Sequence, residues 1–151
     1  MLFRSGAQVE LNVGARRSAS FCTPVSARFE LLSRGAGRFE LEDRQSHLAS
    51  MMGVNVDMGP CAVICHGDVR ILLTSNKTPP FDLGQLRSQG IEPQRCDIIG
   101  VKAAVAHRHA YDPIAGASYT VSTPGPCSSD LRTFPWKHVR RPIFPLDDLV
   151  S

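Results

Sequence analysis

The stretch from Cys61 to Thr74, CAVICHGDVRILLT, leaves this chain the least freedom in how it folds. Cys61 to Cys65 is a wholly apolar short run, Gly67-Asp68 is a two-residue turn, and Val69 to Thr74 is a second run rich in β-favouring residues. Apolar runs bounded by turn residues read as strands buried on both faces, and two of them joined by a two-residue turn read as an antiparallel hairpin. The domain is therefore expected to be built around a central hairpin. Just before it, Met58-Gly59-Pro60 reads as a chain break.

The other elements follow from period and punctuation. Val25 to Leu32 alternates Val25, Ala27, Phe29 and Leu31 against Ser26, Arg28 and Glu30, a half-buried strand. A turn at 33–37 then leads to Phe39–Glu42, which predicts a hairpin with a loop of about five residues. Val9 to Val13 alternates as VELNV almost from Met1, which predicts that something normally precedes this domain. Between Asp43 and Met58 the periodicity fades into a loop or one helical turn. Asp82 is placed to cap a short helix, Leu83 to Ser88, ended by Gly90. Ile98 to Val101 reads as a central strand buried on both faces, Ala103 to Tyr111 as a helix ended by Pro113, and Ala117 to Val121 as another strand. A Pro-rich stretch, a turn capped by Ser128 or Ser129 and an extended tail close the chain. The predicted class is α+β (mixed α/β): a single domain over residues 5–135 with a mixed sheet, hairpins and short helices, and an extended Pro-rich tail over 136–151.

At 151 residues the chain can bury a real core without staples. Its net charge of +3 is small and dispersed, with no basic run, which argues against nucleic acid and anionic membranes as partners. Five cysteines at irregular spacing form no disulfide framework, and free thiols point to the cytoplasm. No secretory signal opens the chain, and no segment approaches the ~18 apolar residues of a membrane span.

Chemistry concentrates in DIIGVKAAVAHRHAYDPIA, Asp97 to Ala115. Lys102, His107, Arg108, His109, Tyr111 and Asp112 follow directly on the apolar run, and strand ends are where α/β domains commonly place ligands. Lys102 at such an end can act as electrophile, carboxylate binder or ion-pair partner. Metal ligation finds little support. Cys61 and Cys65 on a strand lie about 13 Å apart at ~3.3 Å per residue, too far for one zinc with ~2.3 Å bonds. His107 and His109 share a face only if the segment is extended, and on a helix they diverge. Cys127 precedes a helical turn that would favour its thiolate, but no base partner can be named for it. The loop from Thr123 to Asp130 offers a weak anion signal beside the plainer reading of a capped turn.

Taken together, MGPCAVICHGDVRILLTSNKTPPFDLGQLRSQGIEP, DIIGVKAAVAHRHAYDPIA, TPGPCSSDL and RRPIFPLD resemble the C-terminal domain of the MlrC family, metallopeptidase-like hydrolases named for a microcystin-degradation protein. The resemblance runs from about Val9 to Asp147. It implies a mixed α/β domain that follows a larger N-terminal domain carrying the family's zinc ligands, so that no cofactor is expected in this chain itself. Many members read VKSAVHFRAAF where this chain reads VKAAVAHRHAY, which places Ala106 at their histidine and His107 one residue later. Lys102, Arg108, Thr123 and Gly125 fit the family pattern.

Two functions are consistent with this resemblance. In the first, the chain is the C-terminal domain or a fragment of an MlrC-like zinc-dependent hydrolase acting on amide or peptide bonds, a protease-like partner to a zinc-bearing N-terminal domain in cis or in trans. Lys102, His107 and Arg108 would then face the cleft as catalytic candidates, and Thr123 and Gly125 would bind substrate. In the second, it is a non-catalytic stand-alone binding module. The isolated chain is expected to bind no stoichiometric zinc and to hydrolyse no peptide. Leu2, Phe3, Phe21, Trp136, Ile143 and Phe144 are the apolar residues expected to remain uncovered, driving homo-oligomerisation or pairing with the N-terminal domain.

Overall fold

In the computed structural model, a four-stranded sheet carries the fold, and its strand order follows the chain: β1 (Gln8–Val13), β2 (Val25–Glu40), β3 (Asn55–His66) and β4 (Val69–Thr74). The structure describes residues 6–15, 19–20, 22–123, 128 and 130–148. These fall into two compact units, one within 1–12 and 26–118, the other within 13–25 and 119–151.

The hairpin legible in the sequence forms as expected. β3 and β4 pair antiparallel without a register break, from His66 opposite Val69 at the Gly67-Asp68 turn to Cys61 opposite Thr74. Burial on both faces holds for β3, where the consecutive Val63 and Ile64 are both buried, but no residue of β4 is buried. β2 pairs antiparallel with β3. β1 runs antiparallel to β2, with Leu31 bonded to Gly6 and Ala7 at one end and Ser26 to Asn12 at the other. The sheet is thus antiparallel where a mixed one was expected, and the α+β class stands with little helix.

The hairpin expected within residues 25–42 is instead one strand. Its Gly-rich middle does not turn; it lets β2 continue across β3. A Cβ on Gly37 would sit 2.8 Å from the Met58 Cβ and 2.8 Å from the Gly59 carbonyl oxygen, so glycine here serves close approach of two strands. Two register shifts bend the pair. Between Leu31 and Ser33, β2 advances two residues while β3 advances one, and between Ala36 and Arg38, β3 advances three while β2 advances two. Met58-Gly59-Pro60 is therefore no break but a bulge inside β3, with Gly59 at φ +68 and its N–H held by Asp57 Oδ1 at 2.8 Å.

One face of the sheet packs the core cluster of Leu41, Leu48, Val56, Met58 and Cys61, ringed by Phe39, Ala49, Leu72 and Phe81. Leu48 comes from α1 (His47–Met52), whose start is capped by the Ser46 hydroxyl accepting from the Ala49 N–H at 3.2 Å. Each such side chain contributes about 1.5–3 kcal/mol on full burial. Two further short helices follow, α2 (Gly84–Arg87) and α3 (Arg108–Tyr111), with 3₁₀ turns at Pro93–Arg95, Asp112–Ile114 and Leu131–Thr133.

Three expected elements shrink or vanish. Ile98 to Val101 is not a strand, and Ile98 is 89% exposed. Ala117 to Val121 likewise forms no strand, with Tyr119 and Val121 exposed. β-favouring residues become a strand only where a neighbour takes up their backbone groups, and the sheet offers these segments none among the described residues. The helix expected from Ala103 reduces to the single turn of α3.

In the second unit the Pro-rich tail bends back on itself. The Asp147 carboxylate accepts from Arg141 Nε at 2.9 Å and from the Ile143 N–H at 2.8 Å. The 3₁₀ turn at Leu131–Thr133 is capped by Asp130, which also holds Arg132 bidentately at 2.9 and 3.0 Å. Of the apolar residues expected to lie uncovered, Trp136, Ile143 and Phe144 are exposed, while Leu2, Phe3 and Phe21 lie outside the described residues. Among the described residues no helix is long and apolar enough to cross a membrane.

Candidate functional site

A polar cluster forms in the first unit where the chain after β2 meets α2 and α3. Asp82, only 3% exposed, is its anchor. Oδ2 accepts from the Glu42 and Asp43 N–H groups at 3.0 and 3.3 Å, and Oδ1 accepts from the Gly84 N–H at 2.8 Å. Burying a carboxyl group is costly unless its oxygens are hydrogen-bonded, as they are here. Asp82 thereby fixes the loop at 42–43 against the start of α2, a wider role than the helix cap read from the sequence.

That loop then presents Asp43 to α3. Asp43 Oδ2 lies 2.8 Å from His109 Nε2, and since an ionised carboxylate only accepts, this nitrogen carries the proton. The Gln45 backbone N–H, 2.9 Å from Oδ1, and then His109 hold the Asp43 carboxyl below the usual range. Beside it, Arg87 of α2 joins Glu92 at 3.0 Å and Glu42 at 2.6 Å, and Glu42 followed by Glu92 raises the guanidinium further. Tyr111, at the end of α3, is 7% exposed; burial, with the Asp82 charge behind it, pushes its hydroxyl up to about 12. The phenol therefore stays neutral across any physiological pH.

The residues singled out from the sequence are placed as follows. Lys102 is exposed in an irregular segment, and none of the ion pairs among the described residues includes it. His107 precedes α3 and is partly buried, with a shielded Nδ1 that has no hydrogen-bond partner among the described residues. Arg108 opens α3 and is exposed. Thr123 is exposed in the second unit, and Gly125 lies outside the described residues, as does Cys127. The structure adds the Asp43–His109 pair and Asp82 with Tyr111. No local signal marked Asp43, because its partner is 66 residues away.

An imidazole oriented by a carboxylate is a proton-transfer unit. Among the described residues no three His, Cys, Asp or Glu side chains come together to hold an ion, and the resemblance assigns the family's zinc ligands to the N-terminal domain. A shallow depression of about 530 Å³ lies elsewhere, on the sheet, lined by residues such as Arg34, Pro60, Ala62 and Leu73, and contains none of these groups.

No curated protein matches the chain. Among solved structures, a protein of Mesorhizobium sp. BNC1 assigned as a metallopeptidase shares the fold, with a TM-score of 0.71 at 23% identity over 98% of this chain. The chain spans 28% of the length of that protein. The family described as MlrC C-terminus matches residues 3–138. With that match extending over well more than half of its length, the chain belongs to the MlrC C-terminus family.

Proposed function

We propose that the chain is the C-terminal part of a zinc-dependent hydrolase of amide or peptide bonds, acting with a zinc-bearing N-terminal domain in cis or in trans. The observation that carries this reading is the state of residues 97–107. A segment whose composition favours a buried strand lies without regular structure, with Ile98 89% exposed and Val105 69% exposed. We read these exposed apolar side chains as surface that the other domain would cover. Family membership and the 28% coverage of a longer solved protein support the same view. The metal would belong to the other domain. In this chain, Lys102 and Arg108 would hold a substrate carboxylate or a developing negative charge, and His107 would find a partner for its shielded nitrogen. Thr123 and Gly125 would contribute to substrate binding, and the cytoplasm is the proposed location.

The test combines the chain with the zinc-bearing domain of a family member and follows hydrolysis of a peptide library. Activity appearing only with both parts, and falling at least about tenfold in Lys102→Ala or Arg108→Ala, is expected for charge-stabilising groups. Full activity of the zinc domain alone would refute the proposal. The second reading, a non-catalytic stand-alone module, draws on the core cluster formed within the first unit. That reading predicts no complex with the zinc domain at all.

A further inference from the structure

We infer that β4 pairs with β4 of a second copy of this chain, antiparallel and in register about Leu72, joining the two sheets into one. The strand order leaves β4 at the margin of the sheet, and among the described residues of the first unit its strand neighbour is β3 alone. The N–H of Ser75 donates to the Pro60 carbonyl, on the β3 side. Inward and outward backbone groups alternate along an antiparallel strand, so Val69, Ile71 and Leu73 face β3, and Arg70, Leu72 and Thr74 direct their N–H and C=O outward. Among the described residues no backbone hydrogen bond joins these three to a segment outside the sheet.

Natural edges are blunted by prolines, lysines, bulges or a covering element. β4 has six residues, VRILLT, with one charge, no proline and no register break. Ile71, Leu72 and Leu73 are all only partly buried, which is the exposure that one more strand would remove. The edge is also self-complementary. Setting Leu72 against its own copy sets Arg70 against Thr74 and Thr74 against Arg70, so every outward backbone group on both chains finds a partner. The single positive charge then meets a neutral hydroxyl and avoids its own image. Shifting the centre to Arg70 would place like charges together and leave Thr74 unpaired, so this two-fold register is the favoured one.

The experiment is sedimentation of the whole chain across a concentration series, with Thr74→Lys and Thr74→Glu alongside and circular dichroism confirming the fold. Thr74 is exposed, and its hydroxyl donates to the Asn76 carbonyl at 3.1 Å, a bond both variants lose alike. Each dimer contains the Arg70–Thr74 contact twice. Thr74→Lys should therefore weaken the dimer about 2- to 30-fold and Thr74→Glu should tighten it by a similar factor. A chain that stays monomeric throughout, or two variants that move the dissociation constant in the same direction or leave it unchanged, would overturn the inference. In the last case, self-association runs through another surface.

Discussion

Replacing Asp82 by alanine should destabilise the first unit by several kcal/mol at most, because the side chain is buried and hydrogen-bonded to backbone at both of its oxygens. The carboxylate accepts three backbone N–H groups. Of these the Gly84 N–H is buried, and leaving it unpaired costs about 1–3 kcal/mol. The Glu42 and Asp43 N–H groups are part-buried, so water recovers some of their loss, and about 0.5–1 kcal/mol each is a fair allowance. Relief from burying a charge offsets a portion of this total. A net loss of about 2–4 kcal/mol remains, equivalent to a fall in Tm on the order of 10 °C for a chain of this size. Asp82→Asn keeps one acceptor oxygen, which can serve either Gly84 or the 42–43 loop but not both, and should fall between alanine and the parent. Urea denaturation followed by far-ultraviolet circular dichroism measures both. A cost below about 0.5 kcal/mol for alanine, or an asparagine variant as stable as the parent, would refute the reasoning.

Two further outcomes follow from the core. Tyr111 has a folded-state value of about 12, above its ordinary value of 10.0, so its contribution to stability is complete below pH 10 and is lost as the pH rises from there towards 12. Denaturation midpoints measured across that window should fall in the parent and fall less in Tyr111→Phe. Gly37→Ala should cost about 1–3 kcal/mol, because the new Cβ meets the Met58 Cβ and the Gly59 carbonyl at 2.8 Å and backbone must move. Gly35, which has open space around it, is the control that should tolerate alanine within about 0.5 kcal/mol by the same assay.

How much of this was legible in the sequence depended on the range of the interactions. The 61–74 hairpin was readable because its runs and its turn are contiguous. α1 was blurred because a six-residue helix gives too few periods to show, although Ser46 ahead of it is an ordinary cap. Gly35 and Gly37 imitate a turn in sequence; only β3 lying across them reveals that Gly37 answers a steric demand from a distant strand. The strand expected at Ile98 to Val101 failed for a related reason, since a strand is a property of two segments and composition describes one. In the candidate site, Asp82 was visible as a cap, but its bonds to residues about 40 positions away were not. His109 was visible as one of a cluster, and Asp43 was not visible at all.

Hydrogen exchange across residues 97–107, with and without the zinc-bearing domain of a family member, tests the central claim most directly. Exchange should be fast in the chain alone, as befits an irregular segment with Ile98 and Val105 exposed, and strongly protected once the domain is added. Protection already present in the chain alone, or exchange that stays fast at saturating concentrations of the domain, would contradict that claim.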